Sequence, residues 1–141
     1  MSAADNPLDL LQDLAILVVE DDSDTAELFS LLLSQTRNQV RTVGTVGEAL
    51  AVLASFEPDI LITDIQLPDG NGYDLLQQFR DLHKNSPKQV PAIAVTGYST
   101  KLSERAYNEG ALACGFQKYM AKPLDIYELI NAIAELTKAK S

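Results

Sequence analysis

The sequence predicts an α/β fold: a doubly wound, five-stranded parallel sheet in the order 2-1-3-4-5, with helices on both faces. Three observations lead there. Apolar runs of strand length alternate along the chain with longer segments of helical period, the pattern of a sheet buried on both sides. Five such strand-then-helix units account for most of the 141 residues, so one domain over 14–138 is expected, with 1–13 as a lead-in or linker. Two of the apolar runs end on carboxylates, and in this architecture ligands bind outside the carboxyl ends of the strands, where the strand order reverses.

The first strand, 15–19, is an unbroken Ala-Ile-Leu-Val-Val run. The first helix, about 24–35, opens with Asp24 and Glu27 at capping-box spacing and is expected to bury Leu28, Leu31 and Leu32. The second strand spans 40–43. A second capping box, Thr45 and Glu48, starts a helix that runs to about Phe56, before Pro58. The third strand, 59–63, delivers Asp64, and the third helix, 73–82, stops ahead of His83 and Pro87. The fourth strand, 92–96, ends on Thr96; its helix lies within 100–114, where Gly110 interrupts the pattern. The fifth strand, 118–121, precedes Lys122 and Pro123, and Asp125 with Glu128 opens the last helix, to about 138. Leu8, Leu10, Leu11 and Leu14 form a short amphipathic stripe ahead of the first strand.

Bulk composition narrows the function. No apolar run reaches a membrane span, and the N-terminus lacks the basic patch and apolar stretch of a signal peptide. The lone Cys114 cannot form an intramolecular disulfide, which suits a reducing, cytoplasmic setting. Net charge is −9 with no basic run, so direct nucleic-acid binding is not expected, because phosphate neutralisation needs clustered Lys and Arg.

The acids carry the chemistry. If the first and third runs are neighbouring parallel strands, Glu20, Asp21 and Asp22 meet Asp64 within a few ångströms. Like charges repel by about 4 kcal/mol per pair at 4 Å in an effective dielectric near 20, so such a cluster must hold protons or a cation. Thr96 and Lys122 end the fourth and fifth strands at the same sheet edge. A hydroxyl, an ammonium and a metal ion facing a carboxylate are the equipment for phosphoryl transfer onto that carboxylate. Mg²⁺ suits such a site, since it takes one or two carboxylates plus waters and phosphate oxygens.

Five separated motifs carry a family resemblance: Val18-Val19-Glu20-Asp21-Asp22, Thr63-Asp64-Ile65-Gln66-Leu67-Pro68, Asn71-Gly72, Val95-Thr96-Gly97 and Tyr119-Met120-Ala121-Lys122-Pro123. On these the chain resembles the receiver domain of two-component response regulators, whose flavodoxin-like three-layer sandwich matches the fold expected above. The resemblance implies that Asp64 accepts phosphate from a sensor histidine kinase, a phosphotransfer protein or a small phosphodonor. It implies that Asp21 holds Mg²⁺ directly, Glu20 through water, and Gln66 through its backbone carbonyl. Lys122 pairs with Asp64 and then with the phosphate, and Lys122–Pro123 is a candidate cis bond. Thr96 and Tyr119 resemble the switch pair that re-forms the face of the fourth helix, fifth strand and fifth helix for a downstream protein partner. Thr96 and Lys122 stand about one helical turn further apart than the family pattern implies, an excess expected within 102–116. A stand-alone regulator and the receiver end of a hybrid kinase both fit, and a homodimer through the leucine stripe is allowed.

Other residues read more plainly. Asp22 and Asp24 suit helix capping; Pro68, Gly70 and Gly72 suit turn geometry; His83 suits a surface loop; Cys114 suits a small core position. Two rival functions fit the residues less well. A Mg²⁺-dependent phosphohydrolase of the haloacid-dehalogenase type resembles this chain in its aspartyl-phosphate chemistry. It needs a second acid two positions after its nucleophile, where this chain has Gln66, and it carries the nucleophile on its first strand. A flavodoxin-like electron carrier needs a hydroxyl- and glycine-rich phosphate loop where this chain has Glu20-Asp21-Asp22. The expected protein is therefore not an enzyme on other substrates; it turns over only its own aspartyl phosphate.

Overall fold

Alternation within each strand builds two cores at once. The computed structural model of the protein describes residues 11–34, 37–86, 89–97 and 115–137. Its central sheet consists of β1 (Ala15–Val19), β2 (Gln39–Val43), β3 (Ile60–Asp64), β6 (Ala92–Thr96) and β7 (Lys118–Ala121), in the order β2-β1-β3-β6-β7. All neighbouring pairs are parallel. Counting these strands alone, the order is the expected 2-1-3-4-5. Leu17, Val19 and Leu61 point to one face, where they pack with Val46, Leu53, Leu75 and Phe79. Ile16, Val18, Ile60 and Ile62 point to the other, against Phe29, Leu33, Leu129 and Ile133. Every residue of β3 and β6 is buried, which is why both read as continuous apolar runs.

Among the described residues, four helices cover the sheet: α1 (Ser23–Leu33), α2 (Val46–Leu53), α3 (Gly72–Leu82) and α4 (Ile126–Thr137). The helix expected within 100–114 and Cys114 lie outside the described residues, so α4 is the fifth helix of the sequence reading. Thr45 caps α2, accepting from Glu48 N at 3.0 Å, while Glu48 Oε1 reaches back to Gly44 N at 2.9 Å. Asp125 Oδ1 accepts from Tyr127 N and Glu128 N at the start of α4.

Several expectations need correction. Of the two acids suited to capping α1, Asp22 is the cap, accepting from Thr25 N at 3.1 Å, and Asp24, taken as the opening of the helix, lies within its first turn. The helix therefore turns a different stripe inward: Phe29 and Leu33 are buried, whereas Leu28 and Leu31 are 53% and 61% exposed. With apolar residues at 26, 28, 29, 31, 32 and 33, the period alone does not fix the face; the cap and the position of Phe29 do. α2 ends at Leu53, and Phe56 packs into the core from the following turn. β3 starts and ends one residue later than expected, which makes Asp64 its last residue. His83, expected in a surface loop, is in the turn that ends α3 as its C-cap, half-buried with its ring 4.9 Å from that of Phe79.

A two-stranded antiparallel hairpin, β4 (Gln66–Leu67) and β5 (Gly70–Asn71), lies between β3 and α3. Ahead of β1, Leu11 and Leu14 are buried in the α1–α4 layer. Asn38 fastens this stretch, accepting from Leu14 N and donating to the carbonyls of Leu11 and Leu33. Leu8 and Leu10 lie outside the described residues. No helix among the described residues is long and apolar enough to cross a membrane.

Candidate functional site

The carboxyl ends of β1 and β3 meet at the point where the strand order reverses. Glu20 prolongs β1 by one rung, its N–H donating to Val43 O at 2.8 Å, and its side chain turns inward to 4% exposure. Asp64 closes β3 at 7% exposure, while Asp21 faces solvent. Among the described residues, Glu20, Asp21 and Asp64 form one group whose carboxylate oxygens lie within 4.8 Å of one another. The spatial coincidence the sequence demanded is present.

Lys122 answers the charge problem from inside the protein. Its Nζ is 2.6 Å from Glu20 Oε1 and 3.0 Å from Asp64 Oδ2. Its backbone N–H donates to Thr96 O at 2.7 Å, carrying the β6–β7 ladder one step further and fixing the base of the side chain. The Lys122–Pro123 bond is cis, as the motif suggested. Burial pushes the Glu20 carboxyl above its ordinary value, against the lowering effect of the Lys122 ammonium and the Asp22 N–H. Burial alone lowers a lysine, yet hydrogen bonds and charge from Glu20 and Asp64 hold Lys122 above its ordinary value, so it stays a cation.

The remaining expected residues lie on the neighbouring elements. Gln66 N donates to Asp64 Oδ1 at 3.2 Å, which sets the hairpin directly on the aspartate, and its side chain is exposed. Thr96 is fully buried as the last residue of β6. Tyr119 of β7 pairs in register with Ala94 of β6 and packs, half-buried, against the α2–α3 layer. Asp22 does not join the cluster. Its carboxylate is engaged by the Thr25 N–H and hydroxyl, which hold it below the usual carboxylate range.

An all-oxygen donor set with one solvent-facing member suits a hard divalent cation that keeps part of its water shell. The residues present fit Mg²⁺. The Lys122 ammonium would leave an oxyanion docked on Asp64 facing a charged donor.

Gly72, expected as turn geometry, and Asp69, for which the sequence offered no role, both do more. Gly72 begins α3 directly under the aspartate: a Cβ there would lie 2.7 Å from the carbonyl oxygen of Asp64. Asn71 caps the same helix, accepting from Asp74 N at 2.9 Å. Asp69, at the hairpin turn, accepts from Val46 N at 2.8 Å and Gly47 N at 3.0 Å, the first amides of α2. Its only signal in the sequence was Pro68-Asp69-Gly70, which is also the signal of an ordinary turn.

Comparison with known proteins agrees with this geometry. The family model described as "Response regulator receiver domain" matches residues 16–134. An uncharacterized 14.6 kDa protein of Leptolyngbya boryana is 34% identical over 125 residues, which cover 89% of this chain and 91% of that protein. Hybrid signal transduction histidine kinase D of Dictyostelium discoideum is 32% identical over 94% of this chain, which spans only 9% of the kinase. Among solved structures, a CheY-like response regulator receiver domain protein from Methanospirillum hungatei superposes with a TM-score of 0.74 at 25% identity. That match covers 92% of this chain and 100% of the other.

Proposed function

We propose that this chain, which belongs to the response regulator receiver domain family, is a phosphoacceptor module that carries a phosphoryl group on Asp64 and switches a protein-binding face in response. Receiver domains are signalling modules that take phosphate from histidine kinases and act on downstream partners. The observation that carries the reading is the Lys122 ammonium seated between the carboxylates of Glu20 and Asp64 at the sheet's switch point.

In the transfer, an Asp64 carboxylate oxygen attacks the phosphorus of a phosphohistidine. The O–P bond forms as the N–P bond breaks, and the departing imidazole nitrogen keeps the electron pair and takes a proton from solvent. Lys122 orients the carboxylate beforehand and afterwards pairs with a phosphoryl oxygen, so its charge opposes the one that accumulates. Glu20, Asp21, Asp64 and the Gln66 carbonyl are the groups that would hold Mg²⁺, which when bound neutralises charge on the phosphoryl oxygens. The Thr96 hydroxyl is the donor that follows the phosphoryl group, and Tyr119 moves into the space it leaves. That pair biases the face that includes β7 and α4 toward a downstream protein. Residues 14–138 form the receiver unit and 1–13 lead into it, in a cytoplasmic setting.

The test is labelling with acetyl phosphate and Mg²⁺, followed by mass. One phosphoryl group is expected on the wild type and none on Asp64→Asn. Undiminished labelling of that variant removes the assignment. Repeated turnover of simple phosphomonoesters would instead favour the phosphohydrolase.

A further inference from the structure

Asp69 lies beyond the four groups assigned to the metal, yet both of its oxygens are committed across a long stretch of sequence. The bonds to Val46 N and Gly47 N span 23 and 22 residues, and with Thr45 they satisfy the first three amides of α2. Those bonds hold the carboxyl below the usual range. An exposed aspartate at a turn usually bonds its own neighbours; this one reaches another element. The contact is tight on either side of it. A Cβ on Gly70 would meet Val46 Cγ2 at 3.3 Å, and Leu67 is buried with Val46 in one core layer.

The other end of the same hairpin is the site. Gln66 pairs with Asn71 across β4 and β5 and donates to Asp64 Oδ1. The start of α2 also borders the other acids, since a Cβ on Gly44 would lie 3.7 Å from Asp21 Cα and 3.8 Å from Glu20 O. We infer that Asp69 is a positioning residue: it ties the hairpin that presents the Gln66 carbonyl to the α2 N-terminus, and so sets the affinity of the site for Mg²⁺. The inference rests on the reading that Gln66 is a metal ligand. It makes α2 a second element, besides the switch pair, whose position the site senses.

Mg²⁺ titrations followed by amide NMR test it, with melting temperature measured alongside. Residues that orient ligands cost about tenfold or more in metal affinity when removed, so Asp69→Ala should bind Mg²⁺ about tenfold more weakly than wild type. Asp69→Asn loses the charge but keeps one accepting oxygen, and should lie closer to wild type than to Asp69→Ala. Thr45→Ala removes the other α2 cap without touching the hairpin; it should melt lower and keep wild-type Mg²⁺ affinity. Equal affinity in Asp69→Ala and wild type overturns the inference. So does an Asp69→Asn variant as weak as Asp69→Ala, which would make the effect one of charge. So does a Thr45→Ala variant as weak as Asp69→Ala, which would make it one of helix stability. A wild type that does not bind Mg²⁺ at Glu20, Asp21 and Asp64 overturns the metal-site reading itself, and this inference with it.

Discussion

Replacing Gly72 by alanine probes how closely α3 is seated under Asp64. An alanine Cβ would sit 2.7 Å from Asp64 O and 3.3 Å from both Ile65 Cα and Thr63 Cγ2. Carbon and oxygen approach no closer than about 3.3 Å even in weak C–H···O contacts, so helix and strand end must part by about 0.6 Å. Two of the three neighbours are backbone atoms, which give far less readily than a side-chain tip, and the Gly72 N to Ile65 O bond of 2.8 Å is pulled with them. Overpacking of this kind costs roughly 1–3 kcal/mol, offset in part by alanine's better helix propensity, worth up to about 1 kcal/mol. A net loss near 1–2 kcal/mol corresponds to a fall in melting temperature of roughly 3–6 °C for a chain this size. The same shift misplaces the Asp64 carboxylate. A misplacement of about 1 Å costs a reaction about a hundredfold, so labelling by acetyl phosphate should slow about tenfold. Gly97→Ala is the control, because its Cβ would meet only Lys122 Cδ, at 3.8 Å. A Gly72→Ala protein that melts at or above the wild-type temperature and labels at the wild-type rate would refute the reasoning.

Other expectations follow from the same contacts. Lys122→Ala still accepts phosphate but switches its partner poorly, and without metal it leaves Glu20 and Asp64 uncompensated, at a cost of roughly 2 kcal/mol. Mg²⁺ should therefore raise its melting temperature more than that of the wild type; equal increments in calorimetry would count against the pairing. Asp69 is held below its ordinary value of 3.8, so its contribution to stability is complete above that value and lost as pH falls through the lower folded one. Asp69→Asn should be less stable at neutral pH and lose less on acidification below about 3.8. Parallel urea midpoints at pH 7, 4 and 3 for the two proteins would contradict the α2 contact.

What the sequence made legible was whatever its periodicity or charge over-determines. β3 and β6 are buried throughout, so their apolar runs had only one reading, and the acids behind β1 and β3 had to meet once the strand order was fixed. α1 was different, because six apolar positions in eight leave several possible stripes, and only the Asp22 cap selects Phe29 and Leu33 over Leu28 and Leu31. Asp69 and Gly72 were hidden for a deeper reason. Both look like residues of a local turn, while their roles depend on elements over 20 positions away or on a close approach to backbone that no pattern of residue types records. The lysine was legible as a strand-end cation, but its seat between two acids needed the β6–β7 register, which brings its backbone against Thr96.

On the proposed reading, the charges of the site would make phosphoryl transfer to Asp64 conditional on metal. Glu20, Asp21, Asp64 and Lys122 together carry two negative charges in excess, and among the described residues Lys122 pairs with Glu20 and Asp64, leaving the charge of the exposed Asp21 to solvent. An incoming phosphoryl group is itself an anion and must approach Asp64, whose oxygens lie within 4.8 Å of those of the other two acids. At that separation and an effective dielectric near 20, one unit of like charge opposes it by about 3 kcal/mol. One ammonium already shared between two carboxylates cannot cancel that, whereas a divalent cation on the Asp21 side can. A barrier higher by about 3 kcal/mol is a rate lower by about a hundredfold. Acetyl phosphate labelling in the presence of a chelator should therefore be slower than in Mg²⁺ by about that factor. An Asp21→Asn variant, with one acid fewer, should recover part of the loss in chelator while labelling more slowly than wild type in Mg²⁺. Equal rates with and without the metal would mean that Lys122 alone balances the site, and that the acids of β1 serve the fold rather than the chemistry.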